Sequence, residues 1–104
     1  MINIINQVFE IEYKLRLKNE DAADRNIRRL YHELEIMGYT VIDPVNRTYK
    51  ETDTDVEASL AGELKGELKI TRVLKPIIYQ KLNEGQMELI QKGIVIVEGK
   101  GSKF

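Results

Sequence analysis

The spacing of apolar residues changes abruptly within residues 36–44, which read IMGYTVIDP. Before this stretch apolar residues recur every three or four positions, as on one face of a helix, and after it they come in short extended runs. Gly38 follows the last periodic residue, Met37, and glycine is favoured there because many helices end in a left-handed conformation. The next four residues are β-branched or aromatic, and the Asp-Pro pair after them is typical of a turn. The sequence therefore predicts a helical segment joined almost without a linker to a β-rich one.

The helical segment divides into two parts. In the first part the apolar positions step by four, three and four residues, at Ile4, Val8, Ile11 and Leu15. The same spacing returns in the second part, at Ala23, Ile27, Leu30, Leu34 and Met37. The two registers do not join, because extending the first would place Asn26 and Arg29 on the apolar stripe. We predict two helices separated by the polar residues 18–21; one long helix with a phase shift is the alternative.

Neither helix is expected to be stable in water unless its apolar stripe is covered. Two helices form a hairpin and two hairpins form a four-helix bundle, so we expect the chain to be a homodimer. The expected dimer interface consists of the apolar positions Ile4, Val8, Ile11, Leu15, Ile27, Leu30 and Leu34. The alternative is that both helices pack on the strands of their own chain.

The rest of the chain reads as short strands. Residues 68–74 alternate as in a half-buried strand that ends at Pro76, and residues 77–82 form the next. A hairpin turn is predicted at residues 83–86, and residues 94–97, apolar on both faces, are typical of an interior strand.

Two segments are less clear. Residues 56–61 fit either a short helix or a strand, and residues 98–104 are expected to be loose. The predicted fold class is α+β, with a helical dimerisation segment in residues 1–38 and a small β-rich head domain in residues 39–104.

Composition narrows the class of protein. The chain has 104 residues, the size of one domain, and its net charge of −1 argues against binding to nucleic acid. The absence of cysteine excludes disulfides and cysteine-ligated metals. No apolar run reaches the length of a membrane span, and the first residues lack the pattern of a signal peptide, so we expect a soluble cytoplasmic protein without a membrane partner.

No group of residues indicates catalysis. The one histidine, His32, lies away from the apolar stripe and has no nucleophile or metal ligand near it in sequence. Asp53, Asp55 and Glu57 alternate like the start of a calcium loop, but the required glycine and distal glutamate are missing. We therefore expect a protein that is not an enzyme and that has no metal and no cofactor.

The order of these features resembles that of a known family. Residues 34–44 run from a helix end through glycine to Asp-Pro, and Glu57-Ala58 follow. Later positions of the pattern are Gly66, Ile70, Val73, Leu74, Tyr79, Gly85, Val95 and Val97. In this order, from about Phe9 to Lys100, the chain resembles the GrpE family, the dimeric nucleotide exchange factors of Hsp70 chaperones. Three signature positions differ, since Val56 stands in place of a histidine, Ile78 in place of the glycine before the aromatic residue, and Gln91 in place of an arginine.

The resemblance implies a binding module without chemistry of its own. The dimer would present its β-head to the ATPase domain of an Hsp70-type chaperone, favour the open form and so promote release of ADP. The residues expected to contact the partner are Arg72, Lys75, Tyr79, Gln91 and Lys92. The alternative function is that of a structural or protein-interaction dimer of the same architecture that serves another partner.

Overall fold

The computed structural model describes residues 1–99. Two helices come first, α1 (Ile2–Leu17) and α2 (Asp24–Ile36). Six strands follow: β1 (Tyr39–Ile42), β2 (Val56–Ala61), β3 (Leu68–Lys75), β4 (Ile77–Lys81), β5 (Met87–Gln91) and β6 (Gly93–Gly99). The α+β class and the two separate helices are therefore confirmed. No helix within the described residues is both long enough and apolar enough to cross a bilayer.

Local backbone geometry ends both helices. After α1 the amide of Glu20 donates to the carbonyl of Leu15 at 2.9 Å, and Asn19 adopts a left-handed φ of 53°, which asparagine tolerates well. After α2, Gly38 has φ 94° and its carbonyl accepts a hydrogen bond from the Lys81 amide at 2.7 Å. The helix end predicted at Gly38 is thus also the point where the chain joins the sheet.

The six strands form two sheets of three. One has the order β1-β4-β5 with antiparallel neighbours, and the other has the order β2-β6-β3, with β6 parallel to β2 and antiparallel to β3. The interior position expected for residues 94–97 is confirmed, because β6 is the central strand. Residues 56–61, left open as helix or strand, are a strand. Glu98 and Gly99 were expected to be loose but belong to β6, and residues 100–104 lie outside the described part of the chain.

Two clusters of buried side chains hold the fold together. The larger lies among the strands and is formed by Val56, Ile70, Val73, Ile77, Val95 and Val97, together with Phe9 of α1. The smaller joins both helices to the β1-β4-β5 sheet through Ile5, Leu34 and Ile78. Because Ile77 and Ile78 are consecutive, β4 sends one side chain into each cluster. The helices are therefore packed on the strands of their own chain.

Gly93 lies against the larger cluster with little free space around it. A Cβ atom at this position would lie 3.0 Å from Ile77 Cγ1 and 3.3 Å from Val56 Cγ1. A larger residue here would need these neighbours to shift by a few tenths of an ångström, so space rather than backbone conformation favours glycine.

Candidate functional site

The apolar stripe of the helices is divided between the core and the surface. Val8, Ile27 and Leu34 are buried within the chain, and Leu15 is half-buried. In contrast, Ile4, Ile11 and Leu30 are 59%, 49% and 45% exposed. Packing on the chain's own strands thus accounts for one side of the stripe, and the other side faces solvent.

Gln91, one of the five residues expected to contact a partner, makes its contacts within the chain. Its side chain and that of Asn6 on α1 exchange two hydrogen bonds of 2.8 and 2.9 Å. The Gln91 amide also donates to the carbonyl of Pro76 at 2.8 Å. Two of these bonds tie α1 to the last residue of β5, and the third links that residue to Pro76, between β3 and β4.

Arg72 is exposed on β3 and belongs to a different surface. Its guanidinium carbon lies 5.5 Å from the centroid of the Tyr13 ring of α1, within the range of a cation–π contact. Arg72 forms no ion pair with any residue in the range 1–99. The stacked pair bridges the space between α1 and β3.

A cavity of about 380 Å³ lies beside this bridge. Its lining, which we call the α1–β3 groove, includes Phe9, Tyr13, Leu17, Arg72, Val73 and Leu74, and the ion pair of Glu10 with Lys14 also borders it. Phe9 and Val73 are buried at its base, whereas Leu17 and Leu74 are 66% and 47% exposed. A second cavity of about 150 Å³ shares Phe9, Tyr13, Arg72 and Val73 with the first. The groove combines an apolar floor with a cation, Arg72, that has no acidic partner among the described residues.

Tyr79 is half-buried and packs against the larger core cluster. It also lines a cleft of about 630 Å³, beside Arg47 and two aspartates. There Arg47 forms a bidentate pair with Asp55, with distances of 2.7 and 3.0 Å, and lies 3.8 Å from Asp53. The hydrogen bond from Arg47 lowers the pKa of Asp55, and the pKa of Arg47 is raised in turn. Because Arg47 already pairs with these aspartates, we interpret the contact as one that holds the loop between β1 and β2 in place, and we call it the Arg47 brace.

The other two expected contact residues, Lys75 and Lys92, are exposed near one end of β6. Lys75 pairs with Ile94 across the sheet, and Lys92 directly precedes Gly93. The pairing of β3 with β6 brings these two lysines near each other. Arg72 lies three residues before Lys75 and lines the α1–β3 groove. Tyr79 lines the cleft that contains Arg47, and Gln91 bonds to Asn6. The five residues do not form one patch.

Sequence reasoning missed the groove and the Arg47 brace. Neither leaves a signal in spacing, since Tyr13 and Arg72 are far apart in the chain and Arg47 and Asp55 are separated by an irregular loop. His32 is exposed on α2. Residues 1–99 contain no group of three His, Cys, Asp or Glu side chains that could hold a metal ion. No protein-family model matches the chain, and neither a curated protein nor a solved structure matches it.

Proposed function

We propose that this protein is a non-enzymatic binding module that works as a homodimer and offers its β-segment to a protein partner. The observation that carries the proposal is the exposed flank of the helical stripe at Ile4, Ile11 and Leu30. Apolar side chains that recur at helical spacing and remain in solvent are typical of a surface that another chain covers.

The expected strength of the dimer follows from these side chains. Burying the exposed half of an isoleucine or leucine contributes about 1 kcal/mol, so six such side chains in a two-fold dimer contribute about 6 kcal/mol. Association costs about 4 to 15 kcal/mol in lost freedom of motion. We therefore expect a weak dimer that forms at high concentration, with neighbouring polar contacts adding to its stability.

Sedimentation velocity tests this part of the proposal. The wild type should shift from monomer to dimer over a roughly hundredfold range of concentration. Leu30→Asp should remain a folded monomer because Leu30 is exposed, whereas Leu34→Asp should unfold because Leu34 is buried. A wild type that stays monomeric at every concentration would reject the dimer.

The partner that we propose is the ATPase domain of an Hsp70-type chaperone, which would place the protein in the cytoplasm. The support is the resemblance carried by residues 34–44 and by the order of the later positions. The mechanism needs only tighter binding to the open form of the ATPase than to the closed form, because that difference shifts the population towards loss of ADP. No residue of this chain has to react.

Release of labelled ADP from an Hsp70 of the source cell tests the partner. Acceleration that saturates with added protein is the expected result. A dimer that leaves the rate of ADP release unchanged would favour the second candidate, an interaction dimer with another partner. One observation favours that candidate: Gln91, which stands in place of the family's arginine, is engaged with Asn6 inside the chain.

A further inference from the structure

We infer that the α1–β3 groove binds a protein segment in which an apolar side chain lies next to a carboxylate. This inference rests on the proposed function as a binding module and names the chemistry of the partner at one surface. The groove is separate from the exposed flank of the helical stripe, because none of Ile4, Ile11 and Leu30 lines it.

The first argument concerns charge. The other two basic side chains nearby already have acidic partners one helical turn away: Lys14 lies 3.2 Å from Glu10, and Arg16 lies 3.3 Å from Glu12. Within residues 1–99, Arg72 is the basic residue of the groove that has no acidic partner. An arginine favours planar carboxylates, which it can bind through two parallel hydrogen bonds.

The second argument concerns position. An exposed arginine normally samples many rotamers, and ordering it costs free energy on binding. Here the contact with the Tyr13 ring, 5.5 Å away, restricts the guanidinium to the mouth of the groove. Less ordering is then needed when a carboxylate arrives, so the site is partly organised in advance.

The third argument concerns the apolar surface. The cavity of about 380 Å³ falls within the range of ordinary ligand pockets. Leu17 and Leu74 stand on either side of it and remain largely exposed. A small anion would satisfy Arg72 but would leave both leucines in water, whereas a peptide segment with an apolar side chain would cover them. The apolar side chain therefore belongs beside the carboxylate.

Nuclear magnetic resonance with blocked tetrapeptides tests the inference on the full chain. The probe is acetyl-Leu-Leu-Asp-Asp-amide; one control replaces both aspartates by asparagine, and the other replaces both leucines by serine. The probe should shift the amide signals of Tyr13, Arg72 and Leu74, and each control should bind at least roughly threefold more weakly. Equal binding of the three peptides, or no binding of the probe, would overturn the inference.

A pair of charge-matched variants sharpens the test. Arg72→Gln should weaken binding of the probe roughly three- to tenfold. Arg28→Gln removes the same charge from an exposed position on α2 and should leave binding of the probe unchanged. Similar loss in both variants would mean a general effect of charge and would reject the groove. Signals of the groove that shift with protein concentration alone would identify a second copy of the chain as the occupant and would also reject it.

The ADP-release assay separates this inference from the proposed function. If the protein accelerates ADP release but fails to bind the probe, the proposed exchange function is supported and the groove is rejected as a peptide-binding site. If the protein binds the probe but does not accelerate ADP release, the groove is supported as a peptide-binding site and the exchange function is rejected.

Discussion

Removing the amide pair of Asn6 and Gln91 should loosen α1 from the strands. The pair contributes two reciprocal hydrogen bonds, and a third runs from Gln91 to the Pro76 carbonyl, all between 2.8 and 2.9 Å. Gln91→Ala deletes all three bonds and leaves two partly buried polar groups without their partner. Asn6→Ala deletes two.

The magnitude follows from the number of bonds and their burial. A net contribution of about 0.5 to 1.5 kcal/mol per hydrogen bond gives a range of about 1.5 to 4.5 kcal/mol for Gln91→Ala. Because the site is only part-buried, water replaces some of the lost bonds, and we expect about 2 kcal/mol. For a domain of this size that corresponds to a fall in melting temperature of roughly 10 °C.

A double-mutant cycle measured by urea unfolding at a fixed protein concentration provides the assay. The coupling free energy between Asn6→Ala and Gln91→Ala should be roughly 1 to 2 kcal/mol, since the two residues share two bonds. Gln7→Ala, an exposed position on the same helix, is the control and should change stability by less than about 0.5 kcal/mol. Strictly additive effects of the two alanine substitutions would refute the Asn6–Gln91 contact.

Other expected outcomes concern pH and packing. The folded state should lose stability as pH falls below about 4, because the hydrogen bond from Arg47 lowers the pKa of Asp55 in the folded state. Asp55→Asn should abolish this dependence of the unfolding free energy on pH, and urea unfolding at several pH values would measure it. The stability at stake is no more than about 1 kcal/mol, since both side chains are partly exposed. Burial and the neighbouring Glu12 raise the pKa of Tyr31 above its ordinary value of 10.0, so stability should also fall as pH rises beyond that value, and Tyr31→Phe should remove the effect in alkaline unfolding curves. Gly93→Ala should cost roughly 1 to 3 kcal/mol by overpacking the core, and thermal unfolding at neutral pH would measure it; an unchanged melting temperature would contradict that packing.

Much of the fold could be predicted where local signals agree. Gly38 predicted the end of α2 because it follows an apolar periodicity and tolerates a left-handed backbone. The break between the helices was predicted because the two apolar registers do not join across the polar residues 18–21. Residues 56–61 could not be assigned, since their alanines and leucine suit either structure. Their strand state depends on pairing with β6, which lies far along the chain.

The candidate site could be predicted less well. The helical spacing shows that an apolar stripe exists but says nothing about which molecule covers it, and Val8 and Leu34 are covered by their own chain. Gln91 was expected to contact a partner. Its actual contact with Asn6 joins residues 85 positions apart, so no local pattern of the sequence could reveal it. Arg72 was expected at a binding surface, yet its contact with Tyr13 depends on how α1 lies against β3. Such long-range proximities are set by tertiary packing, which spacing along the chain does not encode.

The place of β6 in the chain has a consequence for biosynthesis. β6 is the central strand of its sheet, although it spans Gly93–Gly99 and both of its neighbours are synthesised before it. On the ribosome, β2 and β3 must therefore wait with unpaired edges until the last of the three strands emerges. A nascent chain halted shortly before Gly93 would carry two strands without their common neighbour, and we expect such truncated chains to aggregate or to be degraded.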